Sequence, residues 1–193
     1  MSVKSILIVG VGGQGTLLAS KLLGGALVAS GHDVKVSEVH GMSQRGGSVV
    51  TYVRYADGGE KVMSPIINES EADVILSFEL LEAARYLPYL KKGGVIVTNS
   101  QRINPMPVIT GAAEYPEGIA GKIEAAGGRV ITVDARAMAE ESGSAKAVNV
   151  ALLGVLSKQM DIPGEIWIET LRATIPAKFI DMNLNAFGMG ANI

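Results

Sequence analysis

Ser5-Ile6-Leu7-Ile8-Val9-Gly10-Val11-Gly12-Gly13-Gln14-Gly15-Thr16-Leu17-Leu18-Ala19-Ser20-Lys21-Leu22-Leu23 decides the fold of this chain. An apolar strand runs straight into a glycine-rich turn, and a helix opens directly after it. That context turns a loose G-x-G-x-x-G match into a strand–turn–helix unit. Gly10 permits the tight turn, Gly12 leaves room for a close approach, and Gly15 lets the helix pack on the strand. Free backbone N–H groups at the helix start favour an anion. A turn that merely packs well would satisfy the same glycines, so ligand binding and packing both stay open for Gly10, Gly12, Gly13, Gln14 and Gly15.

Outward from this turn, strand and helix patterns alternate. Residues 34–39 alternate apolar and polar and read as a second strand. Residues 48–55 are β-branched and aromatic and read as a third. Asp57-Gly58-Gly59 signals a turn, from which 60–63 is expected to return as a hairpin partner. Residues 72–78 and 95–98 are buried-strand runs, with a helix over 79–90 between them that Gly93-Gly94 ends. Three prolines within 101–116 mark an extended loop. A weak helix at 117–126, a strand at 129–134 and helices at 135–141, 145–160, 165–173 and 178–187 complete the chain. The expected architecture is α/β: a Rossmann-like, doubly wound, largely parallel sheet with helices on both faces. One domain spans 1–193, with a helical C-terminal segment from about 165.

Composition limits the chemistry. With 193 residues, the chain buries a core large enough to need no disulfide or metal staple. A formal net charge of −2 gives no electrostatic footprint for nucleic acid or anionic membrane. There is no cysteine, hence no thiol nucleophile and no thiolate for an iron–sulfur cluster. His32 and His40 are the only histidines, too few for a zinc site, and no metal site is expected. No apolar run reaches membrane-spanning length, the glycine turn explains the N-terminal apolar stretch better than a leader does, and a cytoplasmic location is expected. Three familiar signatures are missing: a Tyr followed four positions later by Lys, a G-x-S-x-G elbow and a G-x-x-x-x-G-K-[ST] loop.

A second glycine-rich stretch, Glu38-Val39-His40-Gly41-Met42-Ser43-Gln44-Arg45-Gly46-Gly47, follows the second strand. In a dinucleotide fold, Glu38 stands where a carboxylate meets ribose hydroxyls. Arg45 offers a two-pronged donor for a carboxylate or phosphate. The alternative is that Arg45 pairs with a surface acid and that Gly46-Gly47 only bend the backbone. The strands before the two glycine stretches are expected to be adjacent and parallel. Both corners would then emerge at the carboxyl edge, where open α/β sheets take ligands or partners. His40 reads as a loop residue, Glu79 as a favourable helix start, and Asn149 as a structural bond to a loop backbone.

These two stretches, with Ser64-Pro65, Glu71-Ala72-Asp73, residues 85–90, Ala147-Val148-Asn149 and 178–188, carry a resemblance over nearly the whole chain. The chain resembles the gamma-type domain of 2-oxoacid:ferredoxin oxidoreductases, and within that family the beta subunits of the indolepyruvate type. The resemblance implies an accessory subunit of a hetero-oligomer. Its alpha subunit would carry thiamine diphosphate, magnesium and iron–sulfur clusters, with coenzyme A and ferredoxin as co-substrates of the complex. Aryl pyruvates such as indolepyruvate would be decarboxylated oxidatively to aryl-acetyl-coenzyme A. No cofactor is assigned to this chain itself, no residue is assigned as catalytic, and the isolated chain is expected to be inactive. Positions 10–15 and 38–47 are the expected partner- or cofactor-facing residues. Two readings compete with this one: a free-standing NAD(P)-binding oxidoreductase, and a non-catalytic nucleotide-binding assembly module.

Overall fold

The computed structural model describes residues 3–39 and 46–193. Six strands form one sheet: β1 (Lys4–Val11), β2 (Asp33–Val39), β3 (Ser48–Ala56), β4 (Ala72–Ser77), β5 (Leu90–Asn99) and β6 (Arg129–Val133), in the order β2-β3-β1-β4-β5-β6. β1, β4, β5 and β6 run parallel to one another, whereas β3 is antiparallel to both β1 and β2. The sheet is therefore largely parallel, with one reversed strand inside it.

That reversal corrects the expected adjacency. β1 and β2 point the same way, but β3 lies between them. The connection from β2 to β3 is too short for the crossover of about a dozen residues that a parallel neighbour demands. β3 therefore folds back as the antiparallel partner of β2 and pairs on its other side with β1 from Lys4↔Tyr55 to Val11↔Ser48.

Helices cover both faces. One face packs Ile6, Ile8, Val53, Leu76 and Val97 under α1 (Thr16–Ala29), α5 (Ala135–Glu141), α6 (Val148–Ser157), α7 (Gly164–Thr174) and α8 (Ile180–Ala191). The other packs Leu7, Val9, Ile75 and Ile96 under α2 (Leu80–Arg85) and α4 (Ile119–Ala125), with Ile67 added from the segment before β4. α3 (Met106–Ile109) is a single turn within the proline-containing loop. Alternate residues of β1 enter opposite cores, which explains its unbroken apolar run.

The closest helix contact joins α6 to α8. A Cβ on Gly154 would overlap the Phe187 carbonyl oxygen, and one on Gly190 would overlap the Ala151 carbonyl. Only hydrogen at both positions allows the two backbones to touch.

Three expected elements differ. Residues 60–63 form no strand; Val62 is buried and its N–H bonds to the Asp33 side chain (Oδ2, 2.8 Å) at the start of β2 instead of to a neighbouring strand. The helix expected over 79–90 stops at Arg85, and Pro88 sits in a tight turn at Leu87–Tyr89. Gly93 and Gly94 lie inside β5, where the β4–β5 register shifts, rather than ending a helix.

Candidate functional site

The carboxyl ends of β1, β2, β4, β5 and β6 share one rim with the start of β3. Both glycine corners reach that rim and touch. The Gly12 N–H donates to the Gly47 carbonyl at 2.9 Å, and the Gly46 N–H approaches the Gly12 carbonyl at 3.5 Å. His40, Gly41, Met42, Ser43, Gln44 and Arg45 lie outside the described residues.

Gly15 is the N-cap of α1, with φ 84°, a left-handed conformation that an L side chain strains. A Cβ there would also meet the Asn149 amide nitrogen at 2.9 Å. Asn149, buried at the start of α6, donates to the Gly15 carbonyl at 3.4 Å. The expected structural bond from Asn149 to a loop backbone is therefore present. Gly15 serves the approach of α6 as well as that of its own strand.

Gln14 turns inward. Its Oε1 accepts the Val11 N–H at 2.7 Å, while its Nε2 donates to the Phe78 carbonyl at 3.0 Å and to Gln101 Oε1 at 3.2 Å. Asn99, fully buried, donates to the same Gln101 oxygen at 3.4 Å and accepts the Ala135 N–H at 3.1 Å. These amides staple the ends of β1, β4 and β5 to α5. The crevice between the β1 and β4 loops is the switch point of strand order, where open α/β sheets take dinucleotides. Here Gln14 spans it.

Open space flanks the staple on both sides. A cavity of about 410 Å³, lined by Gly12, Gly13, Gly15, Leu17, Glu38 and Val39 among others, lies toward β2 and β3. Glu38 Oε1 accepts the Ser20 hydroxyl at 2.9 Å. A second cavity, of about 590 Å³, opens beside the starts of α1 and α6, with Arg136 and Lys146 on its wall. Its cations and helix N-termini give it a positive field. Arg136 also pairs with Glu140 at 2.8 Å.

Beneath the rim lie two buried carboxylates. Glu79 caps α2 by accepting the Glu82 N–H at 2.9 Å, and it accepts the Ile103 N–H at 3.0 Å and the Tyr115 hydroxyl. The favourable helix start expected of Glu79 is its observed role. Burial, followed by the carboxylate of Glu79, pushes the Tyr115 hydroxyl far above the usual phenol range. Reading the sequence passed over Glu82 and Tyr115. The only available signal was a carboxylate inside an apolar helix pattern, which more often marks a solvated face.

Relatives place this architecture. The family model described as pyruvate ferredoxin/flavodoxin oxidoreductase matches residues 5–193. The chain belongs to that family. It is 47% identical over 191 residues to the indolepyruvate oxidoreductase subunit IorB of Thermococcus kodakarensis, covering 96% of this chain and 93% of that one. The pyruvate/ketoisovalerate oxidoreductases common subunit gamma of the same organism is 26% identical over 170 residues, 88% of this chain and 83% of the relative. Among solved structures, the gamma subunit of a keto/oxoacid ferredoxin oxidoreductase from Geobacter sulfurreducens superposes with a TM-score of 0.73 at 22% identity, covering 98% of this chain and 96% of that one. That likeness establishes the shared fold. The family match and the relative 47% identical over nearly its whole length make the chain an accessory subunit of a 2-oxoacid:ferredoxin oxidoreductase. No helix among the described residues is long and apolar enough to cross a membrane.

Proposed function

We propose that this chain completes an oxidoreductase that decarboxylates indolepyruvate and related aryl pyruvates to aryl-acetyl-coenzyme A and passes the electrons to ferredoxin. The supporting observation is the gap between two relatives of one organism: 47% identity to the indolepyruvate subunit against 26% to the pyruvate/ketoisovalerate subunit.

An iron–sulfur cluster does not fit this chain's own residues. It has no cysteine to ligate an iron–sulfur cluster. Among the described residues, no group of three His, Cys, Asp or Glu side chains could hold a metal ion. We assign the clusters, and with them thiamine diphosphate and magnesium, to an alpha subunit. This chain's contribution is the rim. The paired glycine corners, Glu38 and the two flanking cavities form the face that meets the alpha subunit or the substrate bound to it.

Co-expression with the alpha subunit tests the reading. The two chains are expected to co-elute at fixed stoichiometry on size exclusion and to reduce ferredoxin with indolepyruvate and coenzyme A. A chain that stays free of the alpha subunit would overturn it.

A further inference from the structure

The second glycine corner is tied to α2 by a buried carboxylate, Glu82. It lies in α2 with 4% of its surface exposed. Its Oε2 accepts the Ser48 hydroxyl, and its Oε1 accepts Arg85 Nε at 3.1 Å. The Tyr86 hydroxyl stands 3.4 Å from the Ser48 oxygen.

Ser48 is where this bond acquires meaning. It opens β3, sits opposite Val11 at the end of β1, and directly follows Gly46-Gly47, whose backbone meets Gly12. A tie at Ser48 therefore fixes the second corner against the first. The other end of the tie is itself held. Glu79 holds the Glu82 N–H and is itself held by Ile103 and Tyr115. Burying a charge is costly unless its partners are well placed. A leucine at position 82 would extend the apolar cluster formed by Leu80, Leu81, Ala83 and Ala84 without that cost. The carboxylate spends its acceptors on a helix neighbour and on the rim, and the rim bond is the one that reaches the site.

We propose that Glu82, acting through Ser48, is a positioning residue: it fixes the relative placement of the two glycine corners and so the geometry of the edge used in turnover. The first half stands on the bonds alone; the second rests on the function proposed above.

Ser48→Ala is the clean test, because Ser48 is exposed and its loss opens no cavity. Amide hydrogen exchange at Gly12 and Gly46 is measured in the isolated chain, and kcat and KM in the complex with the alpha subunit. Loss of one charge-assisted bond is expected to speed exchange at both amides about tenfold. It should lower kcat by a similar factor, with a modest fall in the thermal midpoint because the buried carboxylate loses one partner. Ser48→Thr should restore both readouts, and Glu82→Gln combined with Ser48→Ala should be no worse than the more damaging single change. Unchanged exchange at Gly12 and Gly46 overturns the proposal whatever the enzyme does. Faster exchange with kcat and KM intact overturns the link to turnover. A wild-type complex without turnover defeats the functional reading, and the exchange comparison still decides the positioning.

Discussion

The side-chain amide of Gln14 donates to the Phe78 carbonyl at 3.0 Å, bridging the loops that follow β1 and β4. A dinucleotide pyrophosphate would cross at this crevice in a nicotinamide-dependent enzyme. In this protein the staple occupies it, while open space lies to either side.

Gln14→Ala removes three hydrogen bonds at once. Unfolding in urea is expected to show a loss of about 1–3 kcal/mol, since the Val11 N–H and the Phe78 carbonyl lose their side-chain partner. Calorimetry with NADH should give no binding heat for the wild type. Micromolar binding would revive the nicotinamide reading.

Gly154→Ala tests the α6–α8 contact. The added methyl would overlap the Phe187 carbonyl, so the helices must separate. A loss of about 1–3 kcal/mol or more is expected. Gly164→Ala, at a position with open space around the Cβ, serves as the control in the same melts.

Tyr55 gives a pH signature. Burial, then the nearby carboxylates of Asp73, Asp57 and Asp161, push its hydroxyl up to about 12. The folded state therefore holds this proton more tightly than the unfolded chain, where a phenol titrates near about 10. The resulting stability is fully present below about pH 10 and is lost as pH rises toward about 12, at about 1.4 kcal/mol per pH unit. Melts across this range should show a steeper alkaline decline for wild type than for Tyr55→Phe. Parallel curves would remove the assignment.

Arg45 lies outside the described residues, and its sequence context carries the prediction. Arg45→Ala deletes a two-pronged donor from the second glycine corner. Weaker assembly with the alpha subunit, or slower turnover, is expected in titrations of one chain against the other. Unchanged assembly and kinetics would discard the role.

Much of this was legible because burial writes itself into sequence. β1, β4 and the last half of β5 are largely buried, and each carries an apolar run, at 6–9, 74–76 and 95–97. The Gly10–Gly15 turn and the opening of α1 followed from glycine chemistry in that context. Strand order was not legible. Nothing in the β-branched and aromatic composition of 48–55 distinguishes a parallel strand from the antiparallel one found between β1 and β2. Only the short connection at 40–47 carried that information. Val62 looked like a strand residue because it is buried, yet its backbone bonds to the Asp33 carboxylate rather than to a neighbouring strand.

At the site, the glycines were visible and the supporting polar groups were not. Gln14 reads from the sequence as a binding residue, but whether its amide faces outward or folds back onto Phe78 depends on β4 lying beside β1. Glu82 and Ser48 are 34 residues apart, and their contact exists only because β3 returns next to β1. Long-range pairing of this kind leaves no local pattern to read.

The most direct measurement is the rate of coenzyme A-dependent ferredoxin reduction by indolepyruvate, with the alpha subunit alone, this chain alone, and the two mixed. The account predicts turnover only in the mixture, with indolepyruvate preferred to pyruvate. Full-rate turnover by the alpha subunit without this chain would contradict it.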